Sequence, residues 1–176
     1  FDGARGPVLE AAGTLTLGVG DFFHVTGSLA VTKSSKTLTL SDESTVTAAL
    51  LTVAGSDINA FAGVNYDSES PVGLLLSDTQ FALAMAIDSQ NNLRKWTTLQ
   101  ASVGAASLTG LTGVTLSSSN LSLLINRPAV DATLVNYSAE PLELATGGST
   151  SLVLDVDSAL GPVLRASGSL NVGLFD

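Results

Sequence analysis

The sequence predicts an all-β fold, on three observations. Apolar residues alternate with polar ones at period two along most of the chain, helical 3.6-residue spacing is nearly absent, and the breaks between runs are built from Gly, Ser, Asp, Asn and Pro. In order, the runs are Leu15/Leu17/Val19, Phe23/Val25, Leu29/Val31, Leu38/Leu40 and Val46/Ala48/Leu50, then Phe81/Leu83/Met85/Ile87, Leu121/Leu123/Ile125 and Leu142/Leu144. Gly55-Ser56-Asp57, Asp67-Ser68-Glu69-Ser70-Pro71, Asp88-Ser89-Gln90-Asn91-Asn92 and Gly147-Gly148-Ser149 read as the breaks. Over Leu99 to Leu111 two readings stand. Ala101, Ala105 and Ala106 suit a short helix, whereas Gly104, Gly110 and Gly113 suit strands with close backbone approach.

The chain also repeats itself. Gly6-Pro7-Val8-Leu9-x-Ala11-x-Gly13-x-Leu15 returns as Gly161-Pro162-Val163-Leu164-x-Ala166-x-Gly168-x-Leu170, an offset of 155 residues (161 − 6). Asp2, Ala4, Gly18 and Asp21 meet Asp157, Ala159, Gly173 and Asp176 at the same offset. Residues 1–155 are therefore expected to be one tandem repeat unit, and 156–176 the start of the next copy packed on the same fold. A finer echo, apolar-x-apolar-(Ser/Asp), recurs at Leu38–Ser41, Leu74–Ser77, Val114–Ser117 and Leu152–Asp155. It predicts about four sub-repeats of 36–41 residues, with polar corners at Ser41–Ser44, Ser77–Gln80 and Ser117–Asn120.

No Pro/Gly/Ser/Thr-rich linker separates Leu152–Leu154 from the returning block, so neighbouring copies are expected to share a sheet. That favours an elongated β-solenoid or β-roll-like stack. The alternative is a string of antiparallel β-sandwich domains.

The composition narrows the function classes. In 176 residues, 45% are hydrophobic and mean hydropathy is +0.41, which excludes intrinsic disorder. Only 13% are charged, against roughly 25% in ordinary domains, so the surface is dressed mainly in hydroxyls. A net charge of −9 argues against nucleic acid and anionic membrane surfaces, which reward Lys and Arg. The absence of cysteine removes disulfides and thiolate metal sites. Val72–Leu76 and Phe81–Ile87 are interrupted by Ser77-Asp78-Thr79-Gln80 and fall short of the ~20 residues that span a bilayer, so no membrane insertion is expected. Phe1 opens the chain without a basic region or cleavage pattern, as in an internal segment.

Chemistry-bearing residues are sparse. The one histidine, His24, alternates with Phe23 and Val25 and is expected on the exposed face, with no identifiable acid-base partners. Asp155 and Asp157 would present two carboxylates about 7 Å apart on one strand face, with Asp2 the repeat-equivalent of Asp157. These three are the calcium candidates, and Asp42, Glu43, Asp67, Glu69 and Asp78 are further corner acids. Neither a glycine-rich calcium nonapeptide nor an EF-hand loop is present. Trp96, after Arg94-Lys95, is either a loop-borne sugar platform or a cap on the core. Lys33-Ser-Ser-Lys36 reads as a turn that blunts strand edges. Asn120-Leu-Ser122 and Asn136-Tyr-Ser138 are sequons that matter only in a eukaryotic secretory host.

The Gly-x-Leu-x-Leu strand starts, Phe61-Ala-Gly-Val-Asn65 and the Leu76–Ala84 block resemble tandem β-repeat units of giant bacterial extracellular, adhesin-like proteins. The resemblance implies a structural rod or spacer at the cell surface, in adhesion or cell-cell contact. It implies adjacent copies as partners, with another cell surface or a glycan beyond them. No enzymatic activity and no cofactor besides calcium are expected. The competing expectation is a calcium-assisted carbohydrate- or cell-binding sandwich module.

Overall fold

The structure, a computed structural model, describes residues 9–20 and 22–174. Nine strands follow in order: β1 (Leu9–Val19), β2 (Phe23–Thr39), β3 (Thr45–Val64), β4 (Val72–Asp88), β5 (Lys95–Thr109), β6 (Val114–Arg127), β7 (Leu142–Ala145), β8 (Ser151–Leu154) and β9 (Val163–Leu174). The chain is all-β. Its strands do not coil into a solenoid, because consecutive long strands are antiparallel neighbours in one open sheet of order β1-β2-β3-β4-β5-β6-β9. Nor do two full sheets face each other as in a sandwich. β7 and β8 form only a small hairpin sheet, laid on one end of the large one.

Three sequence breaks turn out to lie inside strands. Gly55-Ser56-Asp57 is in β3, Ser77–Gln80 in β4 and Ser117–Asn120 in β6. The register shifts between Gly55 and Ile58 and between Ser119 and Ser122, and Asp78 and Gly104 are skipped in the β4–β5 pairing. Asp57, Asp78 and Asn120 all take positive φ, the backbone of a bulge that Asp and Asn tolerate as readily as they tolerate a corner. Each bulge moves the alternation by one residue, so Val72/Leu74/Leu76 and Phe81/Leu83/Met85/Ile87 stay on the same face of β4. Lys33–Lys36 is likewise interior to β2 and not a turn, and Leu99–Thr109 is strand. The four apolar-x-apolar-(Ser/Asp) signatures occupy different places: the end of β2, the starts of β4 and β6, and β8.

The register assigns every side chain to one of two faces. On one face runs the row Ala11, Val31, Val53, Leu83, Leu99, Ile125, Leu164, and further along it Leu17, Val25, Ala60, Leu76, Ala106, Ser118, Leu170. The opposite face carries the core, and only toward the end where β2 turns into β3. There Leu38, Ala48, Leu50, Ala54, Ala82, Ala84, Ala86 and Trp96 pack under Val135, Tyr137, Leu142, Leu144, Leu154 and Val156. The row of alanines lets the covering segment sit close to the sheet. Tyr137 is buried, which pushes its phenol pKa upward.

Backbone and hydroxyl bonds fasten this cover. Leu40 bridges Val135, Ser41 N–H donates to the Leu134 carbonyl (2.8 Å), and Asn136 N–H donates to that of Thr39 (2.8 Å). At the other end, Ser56 Oγ lies 2.9 Å from both Thr146 Oγ1 and Thr150 Oγ1. Arg94 adds an ionic clamp: Nη1 is 3.0 Å from Asp88 Oδ2, and Nε is 2.6 Å from Asp131 Oδ2 but off the N–H axis, an ion pair without a directed hydrogen bond.

Three carboxyls around this end are held below the usual Asp value of 3.8. The Gln90 N–H and then Arg94 do this for Asp88, the Thr133 hydroxyl and N–H and then Arg94 for Asp131, and the Ser44 hydroxyl and N–H for Asp42. A carboxyl with a depressed folded pKa adds stability above its unfolded value and loses it as pH falls through the folded value. The melting temperature should therefore hold at neutral pH and drop below about pH 4, less steeply in Asp131→Asn. An unchanged melting temperature from pH 6 to pH 2.5 would refute the clamp.

Candidate functional site

Two surfaces stand out, and both follow from the sheet. The first is its pair of edges. β1 and β9 are the two halves of the 155-residue echo, and they form the opposite edges of one sheet, parallel to each other and with Leu15 and Leu170 on the same face. A row that begins at Ala11 ends at Leu164, the equivalent of Leu9; a row that begins at Leu17 ends at Leu170, the equivalent of Leu15. The sheet thus shifts by two residues across six strand steps in both its halves. That is ~7 Å along the strands for ~29 Å across them, a slope of about 13°. The described sheet is open, with β1 and β9 at its two edges and no pairing between them.

The second surface is the row-rich apolar face, which no element of the described chain covers. β1 and β9 are its most open parts, with Leu164 74% and Leu170 67% exposed. Lys33, Leu51, Met85, Thr97 and Arg127 share one row of this face, and Lys95 lies in the next row with Ile87 and Ala49. The carboxylates in strands of the large sheet lie elsewhere: Glu10 and Asp88 on the core face, Asp57 and Asp78 at bulges.

The residues singled out from the sequence are placed as follows. Asp155 and Asp157 are not on a strand. They follow β8 in an irregular segment, with Val156 between them buried, and Asp157 Oδ1 accepts the Ala159 N–H (2.8 Å) as cap of the 3-10 turn Ser158–Leu160. Alternation through Asp-x-Asp predicts a strand pair of carboxylates; chain reversal toward β9 takes precedence. Asp2 lies outside the described residues. Among the described residues no group of three or more His, Cys, Asp and Glu side chains gathers. Asp42 and Glu43 are in the β2–β3 turn, Asp67 and Glu69 in the β3–β4 loop, and Asp78 is in a bulge and not at a corner.

Trp96 is 2% exposed, under the Arg94 guanidinium (5.1 Å), and its indole N–H donates to the Thr133 carbonyl (3.0 Å). It is a core residue, with no ring face open to a sugar. His24 is not on the open face that alternation predicts: it sits half-buried on the core face beyond the cover and stacks on Tyr66 (centroids 4.2 Å apart), which leans on the buried Phe61 (5.1 Å). No helix among the described residues is long and apolar enough to cross a membrane.

The fold and its surfaces define a class: an open antiparallel sheet with sequence-equivalent edges and one apolar face left uncovered by the described residues. No family model, curated protein or solved structure matches the chain.

Proposed function

We propose that the chain is a structural repeat, a rod or spacer section of a large secreted or cell-surface bacterial protein engaged in adhesion or cell-cell contact. Copies would be fused through a strand they share. The single observation that carries this is the position of β1 and β9: among the described residues β1 pairs only with β2, and β9 only with β6, so one strand serving as both would satisfy both ladders. Two such edges, each 11–12 residues long and lined with exposed leucines, are an aggregation hazard in isolation and are covered in an array.

A glycine supports the same reading. A side chain at Gly168 would collide with Leu121 of β6, whereas Gly13, its equivalent in β1, has open space on that side. Glycine at position 13 acquires a packing reason once a preceding β6 lies against β1. The stiffness of the rod would come from an uninterrupted sheet, each copy adding six strands. Its role is mechanical, with no reaction assigned to it.

Proteins carrying one, two and three copies test this by small-angle scattering. The longest dimension should grow by about 29 Å per copy, with the small lengthwise shift added, and the melting temperature should rise with copy number. Copies that scatter as flexibly linked bodies and melt independently would reject the shared strand.

A further inference from the structure

The apolar face is too large to be incidental. Seven strands at ~4.8 Å spacing, each contributing about ten paired residues at ~3.3 Å, give a face of about 1,000 Å², beyond the ~300–600 Å² of the largest patch on a typical monomer. Its charge is one-sided. A chain of net charge −9 places no carboxylate in the paired rows of this face, yet carries Lys33, Lys95 and Arg127 there, all exposed. All three stand at the end where β2 turns into β3, and beyond them the same face continues in hydroxyls at Ser35, Thr37, Thr45 and Thr47. Along the strand direction the face therefore runs from basic and hydroxylic to largely apolar, the polarity of an amphiphile with an anionic head.

A second copy is a poorer complement. Its own face brings three more cations and no carboxylate. The acids nearest the far margin, Asp67 and Glu69, belong to a loop that turns toward the opposite face, where Tyr66 stacks on His24. A bilayer lying flat against the sheet would call for cations around the whole rim, and the far margin has none among the described residues.

We propose that this face binds individual anionic lipids. Their acyl chains lie along the strands over Val53, Phe81, Leu83, Leu99 and Leu123, and each anionic head pairs with the cation at its end of the strands: Lys95 and Arg127, on neighbouring strands, hold one head, and Lys33, on β2, holds another. Ion pairing at the edge of an apolar surface is stronger than in open water, and the chains supply most of the affinity. In an array the face would run on from copy to copy, although the inference needs only one.

The test uses the 176-residue chain with cis-parinarate, a fluorescent fatty-acid anion, and its uncharged methyl ester. The anion should bind, and the ester should bind at least about tenfold more weakly. The triple variant K33Q/K95Q/R127Q should lose that advantage for the anion while leaving the ester unchanged. Leu83→Asp with Leu99→Asp should abolish both, with the melting transition retained because neither residue belongs to the core cluster. Equal affinity for anion and ester, or indifference to the triple variant, would overturn the proposal. So would a stable dimer that excludes both probes, or flotation with phosphatidylglycerol vesicles without uptake of the monomeric anion.

Discussion

Trp96→Ala is expected to destabilise the chain by about 3–5 kcal/mol, a large part of the ~5–15 kcal/mol that holds an ordinary domain together. Three things are lost at once. The indole is 2% exposed and fills the space between β5 and the covering segment. Its N–H also satisfies the Thr133 carbonyl, and its ring supports Arg94, which links Asp88 and Asp131. Urea titration followed by circular dichroism measures the loss. Leu99→Ala, only three residues along β5 but on the uncovered face, should cost well under half as much, because its side chain has no second layer to lose. Equal costs at the two positions would mean that both faces are covered in solution.

Gly147→Val should detach the tip of the β7–β8 hairpin from the sheet. Gly147 has φ +87°, and a side chain there would collide with the Leu29 carbonyl oxygen and stand 2.9 Å from Gly13 N. The left-handed backbone alone costs a β-branched residue about 1–3 kcal/mol, and the collision forces the tip outward. Moving the tip breaks the hydroxyl cluster of Ser56, Thr146 and Thr150, in which Thr146 is fully buried. Hydrogen exchange should show loss of protection confined first to β7, β8 and the facing part of β3. Protection at wild-type levels would show that the tip is not anchored through Gly147. Gly147-Gly148-Ser149 reads as a break between strands in the sequence, and the structure adds that it is a hairpin tip in contact with the sheet.

Much of the fold is legible in the residues themselves. The alternation of Leu15/Leu17/Val19 or Phe81/Leu83/Met85/Ile87 has one physical solution, a strand with one apolar face. The echo of Gly6–Leu15 in Gly161–Leu170 places equivalent strands at equivalent positions. Turn and bulge are less separable. Asp57, Asp78 and Asn120 favour the same left-handed backbone in either, and what distinguishes them is whether the chain goes on pairing with the same neighbours afterwards. Asp155 and Asp157 show the same limit, since a local pattern does not reveal where the chain must reverse. Alternation sets His24 opposite Phe23 and Val25, but it does not reveal that this side is the core face, where His24 is half-buried by stacking on Tyr66, 42 positions away (66 − 24).

The sequence by itself determined that this protein is all-β, that its long strands each have an apolar face, and that its first and last described strands are copies of one another. These are properties of period and repetition, written in neighbouring residues or in direct identity. Only the tertiary structure decided which face is covered, and by what. The cover is built from residues 129–156, whose apolar positions Val135, Tyr137, Leu142, Leu144, Leu154 and Val156 follow no single period and make sense only against the alanine row of β3 and β4. Burial of Trp96, the open apolar face with its three cations, and the two-residue shift between edges were decided there as well. Each is a long-range relation, fixed by which strands pair in which register, and local sequence constrains the period of a strand without specifying what lies across from it.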